Sequence, residues 1–304
     1  MKFLNFLQSG TIKCGVLIDS DQILELRRLF QYLGKDPALV ESDSQFFDNF
    51  FSIKDVINAF LETATFQSLP LINLSEVKLL SPDLHPSKIV CLGLNYKEHA
   101  LETGQKLPKL PMLFSKASTA VIGMEAPILT PKVRGSITGA AQPIAVLDYE
   151  VELAVIIGKT CKGASIEEAS NSILGYTILN DVSARMEQMN DKQYFRSKSF
   201  DTFAPLGPWI VSSDSIGDPM NLHIECRVNG ELRQNSTTND MNFNIPETIS
   251  FISEAITLLP GDIIGTGTPA GVGASRKPPL SLKGGDLIEM SIENIGLLRN
   301  YVQG

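Results

Sequence analysis

The sequence predicts an α+β protein dominated by β-sheet, with a small α+β domain at its amino-terminal end. After residue 88, most of the chain consists of short apolar and β-branched runs separated by glycine and proline turns, a pattern typical of strands. Before residue 81 the chain instead indicates a short strand pair followed by helices. With 304 residues, 43% of them hydrophobic, the chain can bury one large core, or one large and one small core.

The amino-terminal region has three recognisable segments. TIKCGVLID is predicted to be a strand, ILELRRLF an amphipathic segment, and FSIKDVINAFLETA a helix with apolar residues at helical spacing. The turn-rich stretch SPDLHPS follows and predicts a boundary, which divides the chain into domains 1–82 and 83–304.

The larger region is predicted to be mainly strands. The predicted strands are KIVCLGL, VELAVIIG, ILGYTIL, PWIVS, LHIECRVNG, DIIGTG, LIEMSIE and LLRNYV. Two helical stretches interrupt them, at residues 165–172 and 244–259.

Composition excludes several classes of function. A net charge of −8 opposes binding to nucleic acid or acidic lipid. No apolar run approaches the ~20 residues of a membrane helix. The four cysteines have no close pair, which argues against both a disulfide framework and a zinc site. MKFLNFLQSG lacks the features of an export signal, so we expect a cytoplasmic protein.

Three carboxylates indicate a metal site. In LDYEVELAVIIG the strand period of two places Glu150 and Glu152 on one face. Asp181 follows the apolar strand ILGYTIL, at a strand end where functional residues are often found. Taken alone, the glutamates also fit a solvated strand face, and the aspartate a turn or helix cap. Together, these oxygen ligands favour Mg²⁺ or Mn²⁺ over zinc.

Several segments, in order, resemble the fumarylacetoacetate hydrolase family. They are VCLGLNYKEHALETG, MLFSKAS, DYEVELAVIIGK, GYTILNDVSARMEQ, KSFDTFAPLGPW, VNGELRQNSTTNDM and LLPGDIIGTGTPAGVG. The resemblance implies a β-rich fumarylacetoacetase-like catalytic domain built as a β-roll of mixed sheets. It also implies a Mg²⁺ or Mn²⁺ cofactor, a 2-oxo or β-diketo acid substrate, and commonly a homodimer.

The resemblance also implies roles for individual residues. Three match metal ligands: Glu150, Glu152 and Asp181. His99 and Glu102 match a dyad that activates water, and Lys198 matches a lysine beside the metal-bound oxygens. The residues that match substrate-binding positions are Arg185, Gln188 and Thr266. The chain departs from the usual pattern at Met186, where the family often has Asp, and at Ser197, where Gly is common.

Elementary chemistry leaves alternatives for these residues. His99 and Glu102 can share one face of a helical turn, with the carboxylate orienting the imidazole, but they also fit a surface ion pair. Lys198 and Arg185 fit anion binding or ordinary surface charges. GTGTPAGVG lacks the pattern of a nucleotide-binding loop, so it fits either a close backbone approach to a small ligand or a plain turn.

The leading hypothesis is hydrolysis of a carbon–carbon bond in an acylpyruvate or fumarylacetoacetate type of acid, with a bound cation stabilising the enolate that leaves. The same site suits an oxaloacetate decarboxylase or an isomerase of 2-hydroxyhepta-2,4-diene-1,7-dioate type substrates. A non-catalytic ligand-binding protein is the alternative from another class.

Overall fold

A computed structural model of the chain describes residues 1–63, 68–134, 139–144 and 146–304. The strands, in chain order, are β1 (Lys2–Gln8), β2 (Thr11–Leu17), β3 (Gln22–Glu25), β4 (Ile72–Asn73), β5 (Lys78–Leu79), β6 (Ile89–Gly93), β7 (Met112–Lys116), β8 (Val121–Ile122), β9 (Pro127–Leu129), β10 (Lys132–Arg134), β11 (Ala141–Pro143), β12 (Leu147–Asp148), β13 (Val151–Ile157), β14 (Ile173–Asn180), β15 (Ser183–Ala184), β16 (Ala204–Ser212), β17 (His223–Val228), β18 (Glu231–Thr237), β19 (Ile263–Gly265), β20 (Leu287–Ile292) and β21 (Gly296–Gln303). The α-helices are α1 (Leu26–Tyr32), α2 (Asp43–Asp48), α3 (Phe50–Leu61), α4 (Lys97–Glu102), α5 (Ile166–Asn171), α6 (Arg185–Asp191), α7 (Phe195–Lys198) and α8 (Ile245–Ala255).

These elements confirm the predicted sheet-dominated α+β class. All eight strands predicted for the larger region form, and its two predicted helices are α5 and α8. ILELRRLF divides between β3 and α1, and FSIKDVINAFLETA forms most of α3. Ala64, the last residue of that predicted helix, lies outside the described residues. No helix in the described ranges has the length and apolarity needed to cross a membrane.

A large mixed sheet organises the molecule. Its main path runs β4-β3-β2-β1-β16-β14-β13-β19-β6-β7, with β5 beside β1 and β8 beside β16. Most neighbours are antiparallel, whereas β19 runs parallel to β6 and β8 parallel to β16. A second sheet has the order β18-β17-β20-β21-β9, and two short pairs join β10 to β11 and β12 to β15.

The amino-terminal strands belong to this same large sheet. β1 pairs with β16 through Lys2 opposite Val211 and Phe3 opposite Ile210. Phe3 also belongs to a buried apolar cluster that includes Ile210. Hydrogen bonds and apolar packing therefore both cross the predicted boundary, and the division into domains 1–82 and 83–304 stays a prediction.

The two central strands bring the candidate ligands together. Every residue of β13 and β14 is buried, because other strands flank both and further elements cover the sheet. Their antiparallel register sets Val151 opposite Asn180, and just beyond it the Asp181 amide donates to the Glu150 carbonyl at 2.9 Å. Asp181 therefore lies beside the glutamate-bearing end of β13.

Candidate metal centre

Three buried carboxylates converge at the end of β13 and β14. One side-chain oxygen from each of Glu150, Glu152 and Asp181 lies within 4.8 Å of the others. At most 5% of the surface of any of these residues is exposed. The alternative of a solvated strand face is therefore wrong for the two glutamates, and Asp181 is more than a surface turn.

Their electrostatics favour a bound cation. Burial, followed by the charges of Asp181 and Glu150, holds the pKa of Glu152 well above its usual range. Burial also acts to raise the pKa of Glu150, but the positive charges of Lys198 and Arg185 outweigh it and lower that pKa. Buried all-oxygen donors whose charges repel one another fit a hard divalent ion such as Mg²⁺ or Mn²⁺.

Lys198 lies directly against two of these carboxylates. Its Nζ donates to Glu150 Oε2 at 2.7 Å and to Asp181 Oδ2 at 2.6 Å, and 3% of its side chain is exposed. Burial acts to lower the pKa of Lys198, but the charges of Asp181 and Glu150 raise it. Lys198 is therefore a buried, charged group at the centre and not an ordinary surface lysine.

Arg185, the first residue of α6, contacts Glu150 of the candidate metal centre. Its Nη2 pairs with Glu150 Oε1 at 2.6 Å, and its Nη1 donates to Gln188 Oε1 at 3.2 Å. Burial acts to lower the pKa of Arg185, but Glu150 and Asp148 raise it. The structure therefore brings the predicted pair Arg185 and Gln188 together beside Glu150.

His99 and Glu102 form a contact within α4. His99 Nδ1 lies 2.7 Å from Glu102 Oε1, and the other Glu102 oxygen accepts from the Gly271 amide at 2.9 Å. Only 8% of His99 is exposed. The pair is therefore braced from the glycine-rich loop, and it is not a loose surface ion pair.

A cavity of about 580 Å³ lies beside the candidate metal centre, and its volume is within the usual range for small-molecule sites. Polar residues lining it include His99, Glu150, Arg185, Gln188, Lys198 and Thr268. Apolar residues lining it include Met112, Phe114, Val146, Met186, Met189 and Tyr194. Met186, one of the two departures from the family pattern, thus contributes to an apolar wall.

Thr266 is not among the residues that line the cavity. Its hydroxyl donates to the Leu153 carbonyl at 2.8 Å, and 1% of the residue is exposed. Thr268, two residues later, lines the cavity instead. The hydroxyl of Thr266 thus fastens the loop to β13, and its predicted contact with substrate stays a prediction.

Two buried charged residues next to the centre received no role from the sequence. Lys116 donates to Asp181 Oδ1 at 2.5 Å and also to the Lys198 carbonyl, and Asp148 accepts from Arg185 Nε at 2.9 Å. Both lie inside segments that carry the family resemblance, MLFSKAS and DYEVELAVIIGK. A charged residue among apolar neighbours is the sequence signal that could have indicated a role for Lys116 and Asp148. That signal does not show which residue of the folded chain each of them contacts.

The family of the chain emerges from comparison with known proteins. The sequence model of the family described as fumarylacetoacetate (FAA) hydrolase C-terminal matches residues 88–303. The mitochondrial oxaloacetate tautomerase FAHD2B of Bos taurus is 43% identical over 269 residues, which is 88% of this chain and 81% of that protein.

Solved structures give the same result. A fumarylacetoacetate hydrolase from Exiguobacterium antarcticum superposes with a TM-score of 0.80 at 35% identity, covering 100% of this chain and 99% of that one. Maleylpyruvate hydrolase from Sphingobium sp. SYK-6, solved with manganese(II) and pyruvate, superposes with a TM-score of 0.77 at 31% identity and the same coverage.

Proposed function

The chain belongs to the fumarylacetoacetate hydrolase family, and from this premise we propose that it is a Mg²⁺- or Mn²⁺-dependent enzyme that tautomerises a small 2-oxo acid of the oxaloacetate type. One observation carries the proposal. The three carboxylates of the candidate metal centre converge, and one of them, Glu150, lines a cavity together with His99 and Lys198. The 43% identity to an oxaloacetate tautomerase supports this choice of reaction.

Glu150, Glu152 and Asp181 would hold the cation, which when bound supplies a Lewis acid that polarises substrate oxygens. Tautomerisation moves one proton between the carbon next to the 2-oxo group and the oxygen of that group. Because Glu102 engages Nδ1 of His99, Nε2 is the ring nitrogen left to accept the proton and return it. Lys198 contributes a fixed ammonium for the negative charge that develops on oxygen.

Hydrolysis of a carbon–carbon bond, the leading hypothesis from the sequence, is the second candidate. The cavity of about 580 Å³ leaves room for an acyl tail beyond the oxo acid. The apolar side chains of Met112, Met186 and Met189, which line the cavity, suit such a tail. In this reaction His99 would take the proton from an attacking water. A maleylpyruvate hydrolase among the structural relatives supports this candidate.

A substrate panel separates the candidates. The purified protein, with Mg²⁺ or Mn²⁺ and with a chelator, is given enol oxaloacetate, acylpyruvates, fumarylacetoacetate and a hydroxy-diene dioate. We expect metal-dependent decay of the enol absorbance without CO₂ release. Two acid products from an acylpyruvate would favour hydrolysis, and CO₂ release would favour decarboxylation. Binding of Mn²⁺ without turnover of any substrate would restore the non-catalytic alternative.

His99→Ala tests the proton carrier within this proposal. We expect kcat to fall by about 10²- to 10⁴-fold, because a positioned general base contributes that much, while Mn²⁺ binding stays unchanged. His223→Ala is the matched control, since His223 is exposed on β17 and pairs with Asn235. A wild-type rate in His99→Ala, measured at saturating Mn²⁺, would refute the assignment.

A homodimer and a cytoplasmic location remain proposals. The related tautomerase of Bos taurus is described as mitochondrial, so the location needs its own experiment. Light scattering on a sizing column will test the dimer, and fluorescent tagging in the source cell will test the location.

A further inference from the structure

Asp148 is a buried carboxylate whose hydrogen bonds reach two separate parts of the candidate centre. None of its surface is exposed. Its Oδ1 accepts from the amides of Tyr149 at 2.9 Å and Gly273 at 2.7 Å. Its Oδ2 accepts from the Ala274 amide at 3.0 Å and from Arg185 Nε at 2.9 Å. These four donors fix both carboxylate oxygens in place.

One branch of contacts leads from Asp148 to a candidate metal ligand. Asp148 holds Nε of Arg185, and Nη2 of the same guanidinium pairs with Glu150 Oε1 at 2.6 Å. Because the guanidinium is planar and rigid, the contact that holds Nε also fixes the direction in which Nη2 points. The position of Asp148 therefore sets the direction from which Arg185 meets Glu150.

The second branch leads through the glycine-rich loop to the candidate proton carrier. Asp148 holds the amides of Gly273 and Ala274, and two residues earlier the Gly271 amide donates to Glu102 Oε2 at 2.9 Å. Glu102 in turn contacts His99 at 2.7 Å. One carboxylate thus anchors the loop segment that braces the dyad.

We propose that Asp148 is a positioning residue that aligns Arg185 with Glu150 and holds the loop that braces Glu102. The proposal rests on the proposed metal site, and it does not depend on which 2-oxo acid is the substrate. In the glycine-rich loop, the Gly271 amide donates to Glu102 and the Gly273 amide donates to Asp148, so both amides hold carboxylates of the protein itself.

Asp262 provides a matched comparison. It is equally buried, accepts from the Leu259 amide and the Ser87 hydroxyl, and pairs with Lys88, but it does not line the cavity. Asp262→Asn therefore reports the structural cost of neutralising a buried, hydrogen-bonded aspartate, without a contact to the candidate centre.

A double-mutant cycle tests the proposal on full-length protein. Mn²⁺ dissociation constants, measured by electron paramagnetic resonance of free Mn²⁺, are compared for Asp148→Asn, Arg185→Lys and the double variant, with unfolding midpoints alongside. We expect Asp148→Asn to weaken Mn²⁺ binding by about tenfold or more, the usual effect of removing a partner that orients a ligand. Arg185→Lys should weaken it far less in the Asp148→Asn background than in the wild type.

Additive effects in the cycle would overturn the proposal. Wild-type Mn²⁺ binding in Asp148→Asn would also overturn it, whatever the unfolding midpoint of that variant relative to Asp262→Asn. If Asp148→Asn does not fold, Arg185→Lys alone, which leaves the backbone donors to Asp148 intact, must still weaken Mn²⁺ binding, and wild-type binding in that variant would overturn the proposal. Because Mn²⁺ binding needs no turnover, failure of this proposal is distinguishable from failure of the proposed reaction.

Discussion

Lys116 places a buried positive charge against Asp181. Its side chain is fully buried, and Nζ also donates to the Lys198 carbonyl. Removing one partner of a buried ion pair is strongly destabilising, so we expect Lys116→Met to lower the free energy of unfolding by roughly 3–5 kcal/mol without metal. Added Mn²⁺ should then raise the unfolding midpoint more than in the wild type, because the cation replaces the charge of Lys116 beside Asp181, which Lys198 alone then offsets at 2.6 Å among the contacts described above.

Lys88→Met is the control for that experiment. Lys88 pairs with buried Asp262, away from the cavity. Its removal should cost stability but leave the Mn²⁺-induced shift at the wild-type value. Equal Mn²⁺ shifts in the two variants would contradict a role for Lys116 at the centre.

Asp83 predicts a pH dependence of stability. Burial first, and the charge of Asp43 second, raise its pKa to about 8 from an ordinary value of 3.8. The folded chain therefore keeps this proton up to about pH 8, whereas the unfolded chain releases it near pH 4. The folded state binds more protons across that window, so the contribution of Asp83 to stability falls as pH rises.

Asp83→Asn should remove this slope. The amide stays neutral at every pH, so we expect the variant to gain on the order of 4 kcal/mol of unfolding free energy over the wild type as the pH rises from 5 to 9. Urea titrations at intervals across that range measure it. Asp19→Asn, at an exposed position, should give a curve parallel to the wild type. A parallel curve for Asp83→Asn as well would exclude Asp83 as the source.

The sequence predicts the candidate metal ligands better than it predicts the charged residues that contact the metal centre. Strand periodicity alone put Glu150 and Glu152 on one face, and the apolar strand before Asp181 placed that residue at a strand end. The contacts of Lys116 and Asp148 depend on residues 65 and 37 positions away in sequence, which no local pattern specifies.

The loop from Thr266 to Ser275 is the element that joins the two parts of the site. At Gly273 the loop passes close to its neighbours: a β-carbon there would lie within 3 Å of both the Leu280 carbonyl oxygen and Asp148 Oδ1. A backbone oxygen cannot move aside without shifting the chain, so we expect Gly273→Ala to cost about 1–3 kcal/mol of unfolding free energy and to lower kcat/KM through the displaced amides.

Gly217→Ala is the matched control for the loop. Gly217 is exposed, and a β-carbon there meets no atom within 4 Å. Thermal unfolding and steady-state kinetics of both variants provide the comparison. Wild-type stability in Gly273→Ala would show that the loop has room to shift.

Elements with strong local signals were predictable. α8 begins with a capping box, in which Asn244 and Glu247 satisfy each other's backbone amides, and α5 begins in the same way with Ser165 and Glu168. Strands of two residues, such as β8 and β12, were not predicted. They are defined by the partner strand they meet rather than by a pattern of their own.

The first strand of the chain connects the amino-terminal strands to the rest of the large sheet. β1 lies between β2 and β16, and Phe3 contacts the aromatic rings of Phe46 and Phe50. The sequence indicated a change of texture near residue 81, but pairing between residues some 200 positions apart has no signature in local composition. The boundary in sequence texture therefore does not coincide with a boundary in the sheet.

Removing residues 1–82 tests whether the remainder folds alone. The truncation uncovers the edge of β16 and the apolar side chains of Ile210 and Val211, both buried in the full chain. An unpaired apolar edge promotes aggregation, so we expect the 83–304 fragment to be insoluble or to unfold well below the full-length midpoint, and Mn²⁺ not to restore it. Co-expression with the 1–82 fragment should restore solubility, because it supplies β1 again. A soluble 83–304 fragment with the full-length unfolding midpoint would instead show that the carboxylate centre and its sheet need no support from the amino-terminal strands.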